Sequence, residues 1–208
     1  MGSGANGIGG AAQAAASRRY DRGSILLHWL IAALILAQIG IGWTMNEILP
    51  DHTPIQAAVE RVHISLGLTV LMLVLLRIAW RLTHPVPPLP PALPVWERVL
   101  ARTSHVLFYL LMLIMPLTGW ALVSTGTRPI HFWGLPWPHL PGVAALLGSP
   151  APKPVRHELS HIHVYVLIWM VLINLALHVA GALKHQFDGA PVLWRMSGLK
   201  PPRAPAAP

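Results

Sequence analysis

Histidine side chains occur inside the apolar segments of this chain, where polar groups are rare. They are His28, His63, His105, His163 and His178. An imidazole surrounded by hydrocarbon is costly, which favours a functional role over a structural one. Neutral imidazole is also the commonest metal ligand in proteins, through either of its ring nitrogens. These five residues are therefore the first candidates for a metal or cofactor site.

The spacing of two of these histidines indicates what they could bind. His163 and His178 are 15 residues apart (178 − 163) on one apolar segment. In an α-helix they would lie about 22 Å apart along the axis and within about 60° of the same face. One helix could therefore supply an axial ligand to each of two stacked haems.

The composition predicts the elements that position these residues. The chain has 208 residues, of which 54% are hydrophobic and 11% charged. Its mean hydropathy is +0.54, whereas about a quarter of the residues of a soluble domain are charged. We therefore predict an all-α integral membrane protein, an up-down bundle of four helices. The predicted spans are Ser24–Met45, Val62–Trp80, Ser104–Val123 and Ile162–Leu183.

The basic residues predict the orientation of this bundle. Those on one side of the spans are Arg18, Arg19, Arg22, Arg77, Arg81, Arg98, Arg102, Lys184, Arg195, Lys200 and Arg203. Those on the other side are Arg61, Arg128, Lys153 and Arg156. Cytoplasmic connections are enriched in Lys and Arg, so both termini are predicted to be cytoplasmic. The net charge of +8 is then explained by topology, and no nucleic-acid partner is expected.

The segments outside the spans differ in composition. Residues 1–19 and 197–208 are predicted to be flexible tails that flank one membrane domain, residues 20–196. Thr83–Pro94 is rich in proline and predicts a stiff extended link. Ser124–His161 contains several Trp and Pro residues, and we expect it to lie over the mouth of the bundle at the interface. The chain has no cysteine, which excludes disulfides, iron–sulfur clusters, thiolate haem ligation and c-type attachment.

An up-down topology sorts the histidines into two layers. The outer layer contains His63 and His163, and the inner layer contains His28, His105 and His178. Two imidazoles in each layer meet the requirement for two bis-histidine b-type haems, since the interior of a helix bundle is where such cofactors bind.

Other assignments remain open at this point. His161 competes with His163 for the outer layer, and His157 is predicted to precede the helix. A single histidine could instead hydrogen-bond to a neighbouring helix, and histidines also bind zinc or copper. Arg77 lies within the apolar run LVLLRIAW, where an unpaired charge is costly, and it is a candidate partner for a haem propionate.

Several segments resemble the bacterial cytochrome b561 family, the four-helix di-haem membrane cytochromes related to the cytochrome subunits of nickel–iron hydrogenases. They are RYDRGSILLHWL, RVHISLGLTVLMLVLLRIAWRL, TSHVLFYLLMLIMPLTGW, IHFWGLPWP, LALHVAGALKHQF and VLWRM. These segments occur in the family's order and cover most of Tyr20–Met196.

The resemblance implies a specific pairing of the ligands. His28 would pair with His178 around a cytoplasmic-side haem, and His63 with His163 around an outer haem. His105 would then lie beside the inner haem or, with Tyr109, in a quinone pocket. In several family members the two histidines of the fourth span are one residue closer together, which would place the first of them at Val164 here.

The resemblance also implies a function in the bacterial inner membrane. The first hypothesis is electron transfer through two haems to ubiquinone or another quinone, with superoxide as a possible donor. The alternative is a membrane anchor and electron conduit for a separate dehydrogenase, hydrogenase or periplasmic redox partner. A transporter or structural protein without haem is the third reading, and it would require the histidine layers to be accidental.

Overall fold

The computed structural model describes residues 19–84, 86–89, 93–188 and 192–197. The first three long helices are α1 (Arg22–Trp43), α2 (Pro54–Thr83) and α3 (Val95–Ser124). A π-helical turn, Thr44–Ile48, continues α1.

The second half of the chain contains shorter elements and the fourth long helix. The strands β1 (Ile130–Phe132) and β2 (Leu135–Trp137) are followed by the short helix α4 (Val143–Leu147). Then α5 (Lys153–His161), a π-helical segment (Ile162–Leu167) and α6 (Ile168–Phe187) follow one another without a break. We call this continuous helix, Lys153–Phe187, the fourth span. A 3-10 turn, Leu193–Arg195, lies near the C-terminus.

The four long helices have the length and composition of membrane spans. Their most apolar windows have mean hydropathies of 2.1 to 2.2. Large apolar side chains such as Leu26, Leu75 and Trp169 are exposed on their surfaces, as expected where lipid replaces water. The buried core is correspondingly small, and Val74 and Leu111 are at its centre. The predicted four-helix membrane bundle is confirmed, and the chain is a multi-pass membrane protein.

Neighbouring helices run antiparallel, and this creates two distinct ends of the bundle. The helix α1 packs on α2, α2 on α3, and α3 on the fourth span. We call the end that holds Asp21, Trp80, Glu97 and Lys184 the terminal end, because the first and last described residues, Arg19 and Ser197, lie there. The opposite end carries the β1–β2 hairpin and is called the hairpin end. The helices α1 and α6 pack less closely with each other.

Polar contacts close the terminal end. Lys184 Nζ donates to Glu97 Oε1 at 2.8 Å, which joins the end of the fourth span to the start of α3. Trp29 Nε1 donates to the main-chain oxygen of Met196 at 2.6 Å. Arg195 Nη2 donates to the Pro88 carbonyl at 2.9 Å. The C-terminal segment 192–197 is thereby tied to α1 and to the segment 86–89.

The hairpin between α3 and α5 packs against the side of α2. The main-chain N–H of Trp133 donates to Ser65 Oγ at 3.1 Å, and its indole N–H donates to Thr69 Oγ1 at 3.1 Å. Trp133 and Gly134 have φ values of 49° and 87°. A two-residue hairpin turn with positive φ at both positions matches the twist of the strands. The hydrogen bonds to α2 hold Trp133 in this uncommon conformation.

The structure differs from the sequence predictions in several places. His157 lies inside α5 and not before the helix, because the helix continues beyond the apolar stretch into polar sequence. For the same reason α2 begins at Pro54 and α3 at Val95, well before the predicted spans. The outer connection contains two strands and a short helix that were not predicted. The predicted tails, residues 1–19 and 197–208, lie outside the described residues apart from Arg19 and Ser197.

The start of α1 is fixed by the half-buried carboxylate of Asp21. Asp21 Oδ1 accepts hydrogen bonds from the Ser24 main-chain N–H and from Trp80 Nε1, each at 2.9 Å. Burial of this carboxyl group works to raise its pKa, but the hydrogen bonds from Ser24 and Trp80 outweigh that effect and lower the pKa from 3.8 to about 2. Asp21 therefore caps α1 and joins it to the end of α2.

We expect Asp21→Ala to lower the free energy of unfolding by about 1 kcal/mol, because a helix cap is lost. The wild-type carboxylate has a lowered pKa in the folded state, so its stabilisation is present above pH 4 and is lost as the pH falls from 3.8 towards 2. Asp21→Ala should flatten this part of the acid dependence of thermal unfolding in detergent. The exposed Glu60→Gln is the matched control. An equal effect of both variants on the acid dependence would contradict the assignment.

Candidate functional site

Two pairs of histidines face each other across the centre of the bundle. The ring centroids of His28 on α1 and His178 on α6 are 6.3 Å apart. The ring centroids of His63 on α2 and His163 on the fourth span are also 6.3 Å apart. The first pair lies towards the terminal end and the second towards the hairpin end. The fold thus brings together the pairs that the family resemblance implies.

The separation within each pair fits two imidazoles on opposite sides of one metal ion. A metal–imidazole bond is about 2 Å long, and the centre of the ring lies about 1.1 Å behind the bound nitrogen, given ring bonds of about 1.35 Å. Two such rings therefore have centroids about 6 Å apart. A porphyrin supplies the other four ligands, so a pair of histidines suffices to hold a haem. Both pairs meet this requirement.

The terminal pair is surrounded by aromatic and basic side chains. The His105 ring lies 5.5 Å from that of His178, and the Phe108 ring lies 5.2 Å from it. Arg77 Nη1 donates to the Ser24 carbonyl at 3.1 Å, and Nη2 lies 3.5 Å from His28 Nδ1. Because a guanidinium can only donate, the contact with His28 requires Nδ1 as the acceptor. Arg77, predicted from the sequence as a candidate partner for a haem propionate, therefore lies beside the terminal pair.

The hairpin pair has a hydrogen bond that orients one of its rings. Thr118 Oγ1 lies 3.0 Å from His163 Nδ1 and donates its own proton to the Met115 carbonyl at 2.8 Å. Since that proton is used, Thr118 accepts from an Nδ1–H of His163, which leaves Nε2 free to bind a metal. Ligating histidines commonly donate their second N–H in this way.

Glycines provide the space for the rings of the hairpin pair. A Cβ atom added to Gly119 would lie 2.9 Å from His163 Cε1, and one added to Gly42 would lie 3.3 Å from His63 Cε1. The first distance is shorter than real side chains allow. A larger residue at Gly119 would therefore displace the His163 ring from His63.

A π-helical segment determines the direction in which His163 points. The segment Ile162–Leu167 includes this histidine. A π-helical turn accommodates an additional residue, and such turns are frequent at functional sites. Because the π-helical turn takes up one residue, the 15 residues from His163 to His178 produce the rotation of about 14 α-helical residues. The angle between the side chains of His163 and His178 is then about 40°, instead of about 60° in a regular α-helix. His163 thereby faces the interior, whereas His161 is exposed and lies beside Tyr165, with ring centroids 5.4 Å apart.

Sequence reasoning missed several residues that support this site. Asn174 is only 3% exposed and lies one turn from His178. It accepts a hydrogen bond from Ser104 Oγ at 2.9 Å and donates to the Ser104 carbonyl at 3.2 Å. These two hydrogen bonds connect α6 to α3. Thr118 and Gly119 were also missed. Their signal was available, since polar and small residues inside spans commonly mark contacts between helices.

The described residues contain no larger ligand cluster. Within 19–84, 86–89, 93–188 and 192–197, no group of three or more His, Asp and Glu side chains is arranged to hold a metal ion. The donor sets offered inside the membrane are therefore pairs of imidazoles.

A cation–π contact lies at the terminal end near His105. Arg81 lies over the ring of Tyr109, 5.7 Å from its centroid.

Comparison with known proteins gives independent information. Residues 19–198 match the family of prokaryotic cytochrome b561. The chain is 30% identical to cytochrome b561 homolog 2 of Escherichia coli (strain K12), over 86% of this chain and 92% of that protein. It is 29% identical to the probable superoxide oxidase CybB of Yersinia pestis, over 82% and 90% of the two chains. It is 26% identical to cytochrome b561 homolog 1 of Escherichia coli (strain K12), over 56% and 65%.

The π-helical segment makes a testable difference to the hairpin pair. Deletion of Val164 should convert the segment to regular α-helix and leave His163 facing His63, because the additional residue is the one removed. Insertion of one alanine after Val164 should turn His163 by about 100° relative to His178. Haem content per chain should therefore be kept by the deletion and reduced by the insertion. Loss of haem to the same extent in both would show that the segment does not set the register.

Proposed function

The chain belongs to the prokaryotic cytochrome b561 family, and on that premise we propose that it transfers electrons across the membrane through two b-type haems. One haem would be held by His28 and His178, the other by His63 and His163. The observation that carries the proposal is the 6.3 Å separation of the ring centroids in each pair. It fits one iron per pair.

Each bound haem would supply a one-electron couple, Fe(III)/Fe(II), whose potential depends on the axial ligands and on the hydrogen bonds around them. The protein residues have separate tasks. Thr118 holds the proton of His163 on Nδ1 and so keeps Nε2 available. If His28 binds iron through Nε2, its Nδ1 keeps a proton and no longer accepts from Arg77. The Arg77 guanidinium is then available to pair with a haem propionate.

The distance between the two layers suits electron transfer between haems. Their histidines on the fourth span are separated by about 20 Å along the helix axis, and the edges of two porphyrins would be much closer than their centres. The bundle thus supports a path from one membrane face to the other. Because cytoplasmic connections carry more Lys and Arg, the terminal end would face the cytoplasm of a bacterial inner membrane, and the hairpin end the periplasm.

We propose superoxide as the donor at the hairpin end and ubiquinone or another quinone as the acceptor near the terminal end. Each superoxide loses one electron and becomes O₂, and a quinone takes up two electrons and two protons to form the quinol. Two superoxide ions are therefore consumed for each quinone. The relative named as a probable superoxide oxidase supports the donor. His105 and Tyr109, beside the terminal pair, are candidates for the quinone site.

The surface of the hairpin end bears on the capture of an anionic donor. Its basic residues are Arg61, Arg128, Lys153 and Arg156, and its acidic residues are Glu47, Asp51, Glu60 and Glu158. These charges balance, four against four, so long-range steering would contribute little. A cavity of about 510 Å³ is lined by residues that include Arg61, Ser65, His131 and Trp133. Arg61 would provide a local positive charge at this cavity.

A second function is favoured by the exposed hairpin. Trp133 is 54% exposed and Leu135 is 67% exposed, and exposed apolar patches commonly mark contacts with other proteins. The chain would then be the membrane anchor and electron conduit of a separate dehydrogenase, hydrogenase or periplasmic protein. Co-purification of a stoichiometric redox protein in mild detergent, lost when Trp133 and Leu135 are replaced by serine, would favour this function.

Haem stoichiometry tests the ligand assignment. We expect two b-type haems per wild-type chain in the dithionite-reduced minus oxidised spectrum, and one haem per chain in His28→Ala and in His63→Ala, because each variant loses one axial ligand. His163→Ala should likewise bind one haem, while the control His161→Ala should bind two. A haem-free wild-type protein made with ample haem would refute the proposed function. Loss of a haem in His161→Ala but not in His163→Ala would reverse the choice between these residues.

Rapid mixing with superoxide tests the donor. The haem of the hairpin end should be reduced faster than superoxide dismutates, and the electron should then pass to an added quinone. His63→Ala should retain the other haem but lose fast reduction, because the entry site is missing. Reduction of wild-type protein at no more than the uncatalysed rate would exclude superoxide and leave the conduit function.

A further inference from the structure

The side chain of Gln38 crosses from the middle of α1 to the backbone of α2 beside His63. Its Nε2 donates to the main-chain oxygen of His63 at 3.0 Å. A Cβ atom added to Gly67 would lie 3.1 Å from the same nitrogen, so the glycine leaves room for the amide. A carboxamide inside a membrane span is costly unless its hydrogen bonds are made. Only the nitrogen of this carboxamide makes a hydrogen bond, and its oxygen makes none.

Two buried polar atoms at this place have no hydrogen-bond partner among the described residues. They are Oε1 of Gln38, an acceptor, and Nδ1 of His63. A buried polar atom without a partner costs about 1–3 kcal/mol. The third such atom in the described part of the chain, Trp137 Nε1, belongs to the hairpin. The two unpartnered atoms are chemically complementary, since Gln38 Oε1 accepts a hydrogen bond and His63 Nδ1 can carry a proton.

The orientation of the His63 ring brings its Nδ1 towards α1. The ring edge with Cε1 and Nδ1 lies 3.3 and 3.7 Å from the Cβ position of Gly42. Gln38 precedes Gly42 by four residues, which is one helical turn on the same face. The amide of Gln38 therefore lies one turn from the point that His63 Nδ1 approaches. A rotation of the Gln38 side chain that brought Oε1 within hydrogen-bond distance of His63 Nδ1–H would give both atoms a partner.

The other member of the pair already has such a partner. Thr118 accepts from His163 Nδ1, as a ligating histidine requires. We propose that Gln38 is the corresponding positioning residue for His63: its Oε1 accepts the Nδ1 proton, fixes the tautomer with Nε2 free, and makes the imidazole a more basic ligand. This inference rests on the proposed haem function. It assigns Gln38 an effect on the potential of one haem.

The direction of the effect follows from the chemistry of the ligand. A hydrogen bond from Nδ1–H to an acceptor increases electron donation to the metal, which stabilises Fe(III) relative to Fe(II) and lowers the potential. Gln38→Leu removes the acceptor at similar volume, so the potential should rise. A tenfold change in relative affinity for the two oxidation states corresponds to about 59 mV for one electron, and losing an outer hydrogen bond to a ligand typically changes metal affinity by at least tenfold.

Spectroelectrochemical titration of the purified full-length chain tests the proposal. His163→Ala first identifies the haem of the hairpin pair as the component that disappears. In Gln38→Leu that component should rise in potential, while the haem of the terminal pair stays unchanged and serves as an internal control. Gly67→Ala should act in the same direction, because the added methyl group displaces the Gln38 amide. Thr69→Val, which removes a polar group that faces Trp133, is the matched control and should leave both potentials unchanged.

The outcomes separate this inference from the proposed function. Two haems in wild type and unchanged potentials in both Gln38→Leu and Gly67→Ala would overturn the role of Gln38 and leave the function standing. An equal shift of both haems would also overturn it, since that indicates a general change in packing. Absence of haem from wild-type protein would instead remove the function on which the inference rests.

Discussion

The cost of holding imidazoles inside an apolar bundle is the constraint on which the rest of the structure depends. An unpaired polar group in hydrocarbon costs several kcal/mol, so a partner on each ring nitrogen lowers the cost of burying a histidine. Facing the rings in pairs provides a common partner for the inner nitrogens if a metal lies between them. The outer nitrogens must then be satisfied by residues of the bundle, and His163 with Thr118 shows how this is done.

This requirement explains features of the helices that would otherwise be unfavourable. Gly42 and Gly119 leave space for imidazole rings, although glycine lowers helix stability by about 1 kcal/mol. The π-helical segment Ile162–Leu167 replaces regular hydrogen bonds at the level of His163. Its additional residue accounts for a feature of the sequence, since His163 is one residue farther from His178 than the resembled family pattern places it. The helix absorbs the extra residue and the side chain still faces His63.

Most of the fold could be predicted from the sequence, because the length of the apolar runs and the proline-rich breaks between them are properties of the chain itself. The predicted pairs also come together. The depth of each histidine in an antiparallel bundle gives the two layers, and the family resemblance selects His28 and His178 within the inner one. The helix ends could not be predicted from hydropathy. The helix α3, for example, begins at Val95, well before the predicted start at Ser104, in polar sequence that gives no hydropathy signal. The partners of the rings were equally hidden. Gln38 and Thr118 are ordinary polar residues in sequence, and only the packing of α1 on α2 and of α3 on the fourth span shows which histidine each one meets.

The two ends of the bundle are built differently, and this asymmetry bears on where a partner could dock. At the terminal end, ion pairs and the C-terminal segment tie the helices together around Glu97, Lys184 and Arg195. At the hairpin end, Trp133 donates hydrogen bonds to Ser65 and Thr69 of α2. The connection also buries Ile130, Val143 and Ala151, and its apolar tip is exposed. The exposed tip with Trp133 and Leu135 is therefore the part of the hairpin end that a partner could contact, while buried residues such as Ile130 and Val143 hold the rest of the connection in place. Under the proposed function, the potentials of the donor, the haems and the acceptor would set the direction of electron flow, and the difference in packing would determine only where a partner docks.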